Sequence, residues 1–222
     1  MQFDILTTFP SSFSYLNESI LKRAQEKELI KINIHDLRQW AEDKHKTTDD
    51  KPFGGGAGML MKIEPIYKAL KDLGVYPQRD PKTKVILTSA KGVSWNQTLA
   101  KKYVQELDRV VIICGHYEGV DQRVVEHLVD DEISIGNYVL SGGEIPSMVL
   151  IDSISRLIPG VLGNEDSLLE ESHNSDNESE YPQYTRPASF ATPEGETWDV
   201  PDILLSGDHS KIQEWRSASK KS

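Results

Sequence analysis

Two glycine-marked turns carry the residues of this sequence that are best placed to hold a ligand. The first lies between Gly115 and Gly119 and follows residues 110–114, a β-branched run typical of a buried parallel strand. The second lies between Gly136 and Gly143, within and after an apolar segment. Open α/β sheets bind ligands at such strand ends. Neither turn has the G-x-G-x-x-G spacing of dinucleotide sites, so the turns indicate either another kind of ligand site or ordinary connections.

Arg156 is the charged residue that stands out on an apolar segment. Residues 145–158 predict a long apolar helix, with Pro146 in the first turn, where proline is tolerated. Arginine is seldom buried without a partner. The side chain of Arg156 therefore either reaches the surface or serves a site.

Strands and helices that alternate along the chain must position these residues. The pattern predicts strands over residues 3–8, 31–37, 84–89 and 109–114, and helices over residues 14–27, 63–73, 97–107, 145–158 and 210–215. This alternation favours a mostly parallel sheet with helices on both faces. Residues 43–59 form a polar, glycine-rich loop, and loops of that length are usually functional or disordered.

At these segments the sequence resembles a known family. Residues 115–121 (G-H-Y-E-G-V-D) and 134–144 (S-I-G-N-Y-V-L-S-G-G-E) resemble the cofactor loops of bacterial tRNA (guanine-N1)-methyltransferases, which belong to the SPOUT superfamily. Residues 49–59 (D-D-K-P-F-G-G-G-A-G-M) resemble that family's loop near the target nucleotide, and residues 181–187 (Y-P-Q-Y-T-R-P) also match. The resemblance covers nearly the whole chain. Ala90 departs from it, because family members often have proline there.

The resemblance implies an α/β fold with a deep trefoil knot in its parallel sheet and a small helical C-terminal domain. We expect a knotted methyltransferase domain over residues 1–162 and a small, shortened tRNA-binding domain over residues 181–222. Residues 163–180 hold seven acidic residues and no basic ones, which is typical of a flexible linker.

The implied reaction transfers a methyl group from S-adenosylmethionine to N1 of guanine 37, beside the anticodon of tRNA. N1 is a weak nucleophile until its proton leaves, so a positioned base is required. The negative charge that builds on O6 needs a guanidinium or a backbone N–H group nearby. Mg²⁺ is a candidate second cofactor, although no residue is assigned to a metal. A homodimer with shared active sites is the assembly that the resemblance implies.

The resemblance also assigns residues to roles. Backbone groups of Ile135, Tyr138 and Leu140 would bind the adenine, and Glu118 would accept hydrogen bonds from the ribose hydroxyls. The implied cofactor-binding residues are Leu87, Thr88, Ser89, Gly92, Gly115, Tyr117, Glu118, Gly119, Ser134, Ile135, Gly136, Asn137, Tyr138, Val139, Leu140, Gly142 and Gly143. The implied tRNA-binding residues are Lys44, Lys46, Asp50, Lys51, Gly55, Gly56 and Arg186.

Arg156 matches the family's catalytic arginine, and the general base has two candidates. The family has an aspartate followed by serine fifteen residues after that arginine. Asp166-Ser167 copies the dipeptide but lies ten residues after Arg156, whereas Glu171-Ser172 keeps the spacing. Glutamate and aspartate have similar unperturbed pKa values, about 4.3 and 3.9. We favour Glu171 over Asp166 as the base. The alternative is that neither residue is the base and that both are solvated charges of the linker.

Composition limits the classes of protein that remain. The net charge of −10 argues against a generally basic nucleic-acid binder. Residues 1–110, however, carry 18 Lys and Arg against 14 Asp and Glu, whereas residues 111–222 carry 7 against 21, so a polyanion would approach the first half. No apolar run approaches membrane-spanning length, and residues 1–10 lack the basic start of a signal peptide. We expect a cytoplasmic protein in which Cys114, the only cysteine, is a small buried hydrophobe.

Two alternatives to this enzyme remain at the level of sequence. One is a SPOUT methyltransferase that acts on a different RNA site. The other is a protein that binds RNA or a nucleotide but has lost catalysis. The loop at residues 49–59 favours the tRNA enzyme over the first, and Arg156 with the acidic segment favours it over the second.

Overall fold

Five parallel strands form the central sheet of the first of two units, which divide after Gly163. The computed structural model describes residues 1–162 and 181–219. In the order in which they pair, the strands are β2 (Lys31–Asp36), β1 (Gln2–Thr7), β6 (Arg109–Cys114), β5 (Thr83–Ser94) and β7 (Asp131–Ser134). All four pairings are parallel. The predicted parallel sheet is therefore confirmed.

Helices cover both faces of this sheet, as the alternation predicted. They are α1 (Ser19–Glu26), α2 (Ile63–Asp72), α3 (Gln97–Glu106), α4 (Gln122–His127) and α5 (Glu144–Ser155), together with 3-10 helices at Pro10–Asn17 and Leu37–Trp40. Side chains of β6 alternate between two cores. Ile112 packs in the core that includes residues of α1, α3 and α5, and Ile113 packs in the core that includes residues of α2 and α4.

Three predicted elements differ from the observed ones. The single helix predicted over residues 14–27 is wrong, because an extended Glu18 and a positive φ of 48° at Ser19 separate the 3-10 helix from α1. The loop over residues 43–59 contains a short strand, β3 (Asp49–Asp50), which pairs with β4 (Leu60–Met61). Strand β5 continues past residue 89 to Ser94, with a register shift on β7.

The described part of the second unit contains two helices and one hairpin. Strands β8 (Ser189–Ala191) and β9 (Thr197–Asp199) pair in antiparallel fashion, and helices α6 (Asp202–Leu205) and α7 (His209–Ser219) follow. These residues are therefore not entirely helical. Among residues 1–162 and 181–219, no helix is long and apolar enough to cross a membrane.

The buried carboxylate of Asp4 links the neighbouring strands β2, β1 and β6. Asp4 of β1 accepts hydrogen bonds from Asn33 at 2.9 Å and from Arg109 Nε at 2.8 Å, and His35 Nε2 lies 2.9 Å away. Burial of Asp4 opposes ionisation, but hydrogen bonds from His35 and the other partners outweigh it, so its pKa lies well below the usual range. Arg109 also donates to the carbonyl of Leu73 at 3.0 Å.

We predict that Asp4→Asn destabilises the fold at neutral pH and that this effect shrinks in acid. Removing one partner of a fully buried pair costs about 3–5 kcal/mol. Because Arg109 is 23% exposed, we expect about 2–3 kcal/mol. Since the folded pKa lies below the unfolded value of about 3.9, the ionised Asp4 stabilises the wild type above pH 4 and loses this contribution as the pH falls further. Urea unfolding at pH 7 measures the destabilisation, and urea unfolding at a series of pH values falling below about 4 measures how it shrinks.

Asp108→Asn is the matched control for this prediction. Asp108 forms a 3.1 Å ion pair with Lys82, but its side chain is 73% exposed. We expect this variant to change stability by less than about 1 kcal/mol at any of these pH values. An Asp4→Asn variant as stable as Asp108→Asn at pH 7 would contradict the role given to Asp4.

Candidate active site

A cavity of about 570 Å³ opens at the C-terminal ends of β6 and β7, beside residues 87–91 in the middle of β5. Its volume falls within the roughly 300–1,000 Å³ of small-molecule and cofactor sites. Three loops line it, and most of the predicted cofactor residues are among the lining. These are Leu87, Thr88, Ser89, Gly115, Tyr117, Glu118, Gly119, Ser134, Ile135, Gly136, Tyr138, Val139, Leu140, Gly142 and Gly143. The structure thus brings together the glycine-marked turns that the sequence singled out.

Glycine is required where the three loops meet. The N–H of Gly143 donates to the carbonyl of Gly115 at 2.7 Å, and the N–H of Gly115 donates to Thr88 Oγ1 at 3.3 Å. A Cβ at Gly143 would lie 2.0 Å from Thr88 Oγ1 and 2.7 Å from the nitrogen of Gly115. Only a residue without a side chain allows this approach, so the cavity wall at Gly115 and Gly143 consists of backbone.

Two predicted cofactor residues do not line the cavity. A Cβ at Gly92 would lie 2.5 Å from the backbone of Glu132, so this glycine allows β5 to pass close to β7 at the register shift. Asn137 is near Gly136 and Tyr138 in sequence but is absent from the cavity wall. The assignment of both residues to cofactor binding stays a prediction.

A buried glutamate at the start of α5 was not predicted as part of the site. Glu144 is 7% exposed, and its Oε1 accepts a 2.9 Å hydrogen bond from Thr7 Oγ1. Its Oε2 lies 3.8 Å from Nδ1 of His116, a residue of the cavity wall. The sequence feature that could have indicated this buried glutamate is its position as an acidic residue in the first turn of an apolar helix.

His116 and Tyr117 connect the cavity to neighbouring aromatic and charged groups. The ring of His116 lies 4.9 Å from the ring of Phe9 and 4.9 Å from that of Tyr117. Burial raises the pKa of the Tyr117 hydroxyl, and the charge and hydrogen bond of Asp49 raise it further. Asp49 belongs to β3, so the Gly115–Gly119 turn contacts the region of the predicted RNA loop.

Backbone hydrogen bonds join the C-terminal end of the loop predicted to bind RNA to the Gly115–Gly119 turn and the residues after it. The N–H of Glu118 donates to the carbonyl of Met59 at 3.1 Å, and the N–H of Met61 donates to the carbonyl of Gly119 at 2.9 Å. The N–H of Asp121 donates to the carbonyl of Met61 at 3.0 Å. These hydrogen bonds hold the C-terminal end of the loop beside the cavity.

The predicted RNA contacts of this loop lie on its surface. Lys44, Asp50, Lys51, Gly55 and Gly56 are exposed. Lys46 is also exposed, and its ammonium group donates to the carbonyl of Ala41 at 2.7 Å. Phe53, between Lys51 and Gly55, is fully exposed.

Arg156 is the one predicted catalytic residue that lies within residues 1–162 and 181–219. Arg156 is half-buried and directly follows the last residue of α5. The first turn of α5 lies at the cavity, so Arg156 is at the other end of the helix. A helix of 12 residues is about 18 Å long. Asp166 and Glu171 lie outside the described residues. Arg186 belongs to the second unit, where it precedes a cis proline, Pro187.

No group of three or more His, Cys, Asp and Glu side chains within residues 1–162 and 181–219 is arranged to hold a metal ion. The cavity instead offers backbone groups and the carboxylate of Glu118. Backbone amides and carbonyls suit a nucleobase, and a carboxylate suits paired hydroxyl groups. The wall therefore fits a nucleoside-containing cofactor.

A parallel α/β sheet with a cavity beside its strand ends is the arrangement in which open α/β proteins bind their ligands. The family tRNA (Guanine-1)-methyltransferase TrmD matches the chain over residues 1–222. The chain belongs to this family, and so to the SPOUT superfamily, as its motifs predicted.

Curated relatives agree with this assignment. The chain is 51% identical over 221 residues to the tRNA (guanine-N(1)-)-methyltransferase of Staphylococcus haemolyticus, covering 99% of this chain and 86% of that protein. It is 54% identical over 217 residues to the protein of the same name from Citrifermentans bemidjiense, covering 97% and 83%. The corresponding protein of Clostridioides difficile is 50% identical over 217 residues, covering 97% and 90%.

We predict that Gly143→Ala abolishes ligand binding in the cavity and destabilises the first unit. The added methyl group would meet Thr88 Oγ1 and backbone atoms of Gly115 and Cys114, none of which is the end of a long flexible side chain. Overpacking of this kind costs about 1–3 kcal/mol. Calorimetric titration with S-adenosylhomocysteine measures binding, and urea unfolding measures stability.

Gly74→Ala separates these two effects. Gly74 ends α2 with a φ of 68°, and a Cβ there would have no atom within 4 Å. We expect the alanine to destabilise through backbone strain, by about 1 kcal/mol, while binding stays unchanged. Normal binding by Gly143→Ala would show that the three loops do not form the ligand site.

Proposed function

We propose that this protein transfers a methyl group from S-adenosylmethionine to N1 of guanine 37, beside the anticodon of tRNA. The observation that carries the proposal is the cavity wall. In a chain of this family, nearly all residues assigned to the cofactor by the sequence line one cavity. Residues 49–59, the RNA-facing loop of this proposal, are hydrogen-bonded to Glu118 of the same wall.

The cofactor supplies an activated methyl group on a sulfonium, which carries its own leaving group. This chain's residues bind and orient. Backbone groups of Ile135, Tyr138 and Leu140 would hold the adenine, and Glu118 would accept hydrogen bonds from the ribose. Arg156 would stabilise the negative charge on O6 of guanine as its N1 proton leaves. A carboxylate, Glu171 in preference to Asp166, would take that proton.

Helix α5 supports a homodimer with shared active sites. It is about 18 Å long, with the cavity at its first turn and Arg156 directly after its last residue. A second copy can supply the arginine. Ile145 and Val149 lie one turn apart on α5 and are 56% and 40% exposed. These apolar side chains are suited to cover by another subunit.

The remaining assignments follow from the same proposal. Residues 1–162 would form the knotted catalytic domain, residues 163–180 would carry the base, and residues 181–222 would bind tRNA. Lys44, Lys46, Lys51 and Arg186 would contact phosphates, and Gly55 and Gly56 would let the backbone approach the RNA. Asp50 would belong to the same tRNA-binding surface. The cytoplasm is the compartment that this substrate requires.

We predict methyl transfer to unmodified tRNA transcripts that carry guanine at position 37. Transcripts with adenine there should accept no methyl group, because a site whose arginine faces O6 and whose carboxylate faces the N1 proton would meet an amino group and an unprotonated nitrogen instead. Radiolabelled S-adenosylmethionine measures the transfer, and mass spectrometry of nuclease digests locates it. The assay is run with and without Mg²⁺, which tests the candidate second cofactor.

The alternative, a SPOUT methyltransferase for a different RNA site, has its own signature in this assay. It would leave guanine 37 unmethylated and label another position or another RNA. Equal labelling of the adenine 37 and guanine 37 transcripts would also contradict the proposal, since the methylated nucleotide would then be at a position other than 37.

We predict that Glu171→Gln lowers the single-turnover rate by about 10²–10⁴-fold at saturating cofactor, the usual contribution of a general base. Asp166→Asn should retain most of the activity and serves as the matched control. A dead Asp166→Asn variant with a normal Glu171→Gln variant would make Asp166 the base. Mixing inactive Arg156→Ala and Gly143→Ala subunits tests the dimer, because a site that takes its cavity from one chain and its arginine from the other regains activity in the mixed dimer.

A further inference from the structure

We propose that Gly58 is a positioning residue for Glu118, so that the RNA-facing loop fixes the carboxylate of the cofactor pocket. The inference rests on the proposed function and deepens it, because it assigns to a loop glycine a role in cofactor affinity. Gly58 itself is outside the cavity wall, whereas Glu118 is part of it. Four observations carry the argument.

The first observation is the backbone link between the two segments. Met59 accepts a hydrogen bond from the N–H of Glu118, and Met61 exchanges hydrogen bonds with Gly119 and Asp121. Met61 also forms a parallel bridge with Val120. The end of the RNA-facing loop thus runs along the cofactor turn as a short extra strand, with Gly58 at its beginning.

The second observation is the space that Glu118 occupies. A Cβ at Gly58 would lie 2.3 Å from Cγ of Glu118, 2.8 Å from its Cδ and 2.6 Å from its Oε1. Real Cβ atoms do not approach other atoms so closely. The side chain of Glu118 therefore lies where any side chain at position 58 would begin.

The third observation is the exposure of Glu118. Glu118 is exposed, and an exposed glutamate has several rotamers of similar energy, so fixing one of them costs entropy when nothing restrains it. Contact with the loop backbone at Gly58 restricts these rotamers before a ligand arrives. A pre-oriented carboxylate binds hydroxyl groups more tightly than a mobile one, because less entropy is lost on binding.

The fourth observation separates this role from the ordinary reason for a loop glycine. Gly54 and Gly58 have nearly the same positive φ, 82° and 80°. A Cβ at Gly54, however, would have no atom within 4 Å. An alanine would meet the same backbone strain at both positions, but only at position 58 would it displace Glu118.

The test compares S-adenosylhomocysteine binding by the wild type, Gly58→Ala and Gly54→Ala in calorimetric titrations. We expect Gly58→Ala to weaken binding by roughly tenfold, the scale of one lost hydrogen bond to a charged group. We expect Gly54→Ala to bind within about twofold of the wild type, since backbone strain alone leaves the pocket intact. Urea unfolding should show similar stability for the two variants.

A double-mutant cycle with Glu118→Ala shows whether Gly58 acts through this carboxylate. Glu118→Ala removes the atoms that a methyl group at position 58 would meet, so it also restores room for the alanine. If the inference holds, Gly58→Ala weakens binding in the wild-type background and has no further effect in the Glu118→Ala background. A merely structural glycine would weaken binding by the same factor in both.

Each outcome has a distinct meaning. A wild type that binds S-adenosylhomocysteine while Gly58→Ala and Gly54→Ala bind equally well overturns the role of Gly58. Equal effects of Gly58→Ala with and without Glu118 overturn it as well. A wild type that does not bind S-adenosylhomocysteine overturns the proposed function first, and this result is recognisable because no variant is needed to see it.

Discussion

The contact of three loops around Gly143 is the constraint on which the rest of the site depends. Thr88, Gly115 and Gly143 come from segments far apart in sequence, and they meet at distances that no side chain at Gly143 would allow. The parallel sheet makes this meeting possible, because it brings Thr88, at the register shift of β5, beside the C-terminal ends of β6 and β7. The shape of the cavity is thus a direct result of strand order combined with the absence of one methyl group.

Electrostatic interactions at the other side of the sheet serve stability instead of binding. Asp4 is buried, and partners on β2 and β6 hold it ionised. Glu144 is the counterpart near the cavity, where it joins β1 to α5 through Thr7. Each carboxylate is satisfied by neighbouring strands or helices, so the polar groups reinforce the same strand order that builds the cavity.

Much of the fold and of the cofactor wall follows from the sequence, for physical reasons that differ between elements. Strand β6 has a continuous β-branched run and was predicted at its observed bounds. The 3-10 helix and α1 were predicted as one helix, because their apolar spacing hides the break at Ser19. The burial of Glu144 and the contact of Gly58 with Glu118 depend on segments that are distant in sequence, which periodicity does not reveal.

Helix α5 has a consequence for how chains of this kind can change in length. It begins beside the cavity and ends next to Arg156, with no glycine or proline after its first turn to absorb a change. One inserted residue would advance everything beyond it by about 1.5 Å and rotate it by roughly 100°. Insertions and deletions should therefore be excluded from α5 and tolerated in the hairpin of the second unit, where Gly195 lies in an open turn.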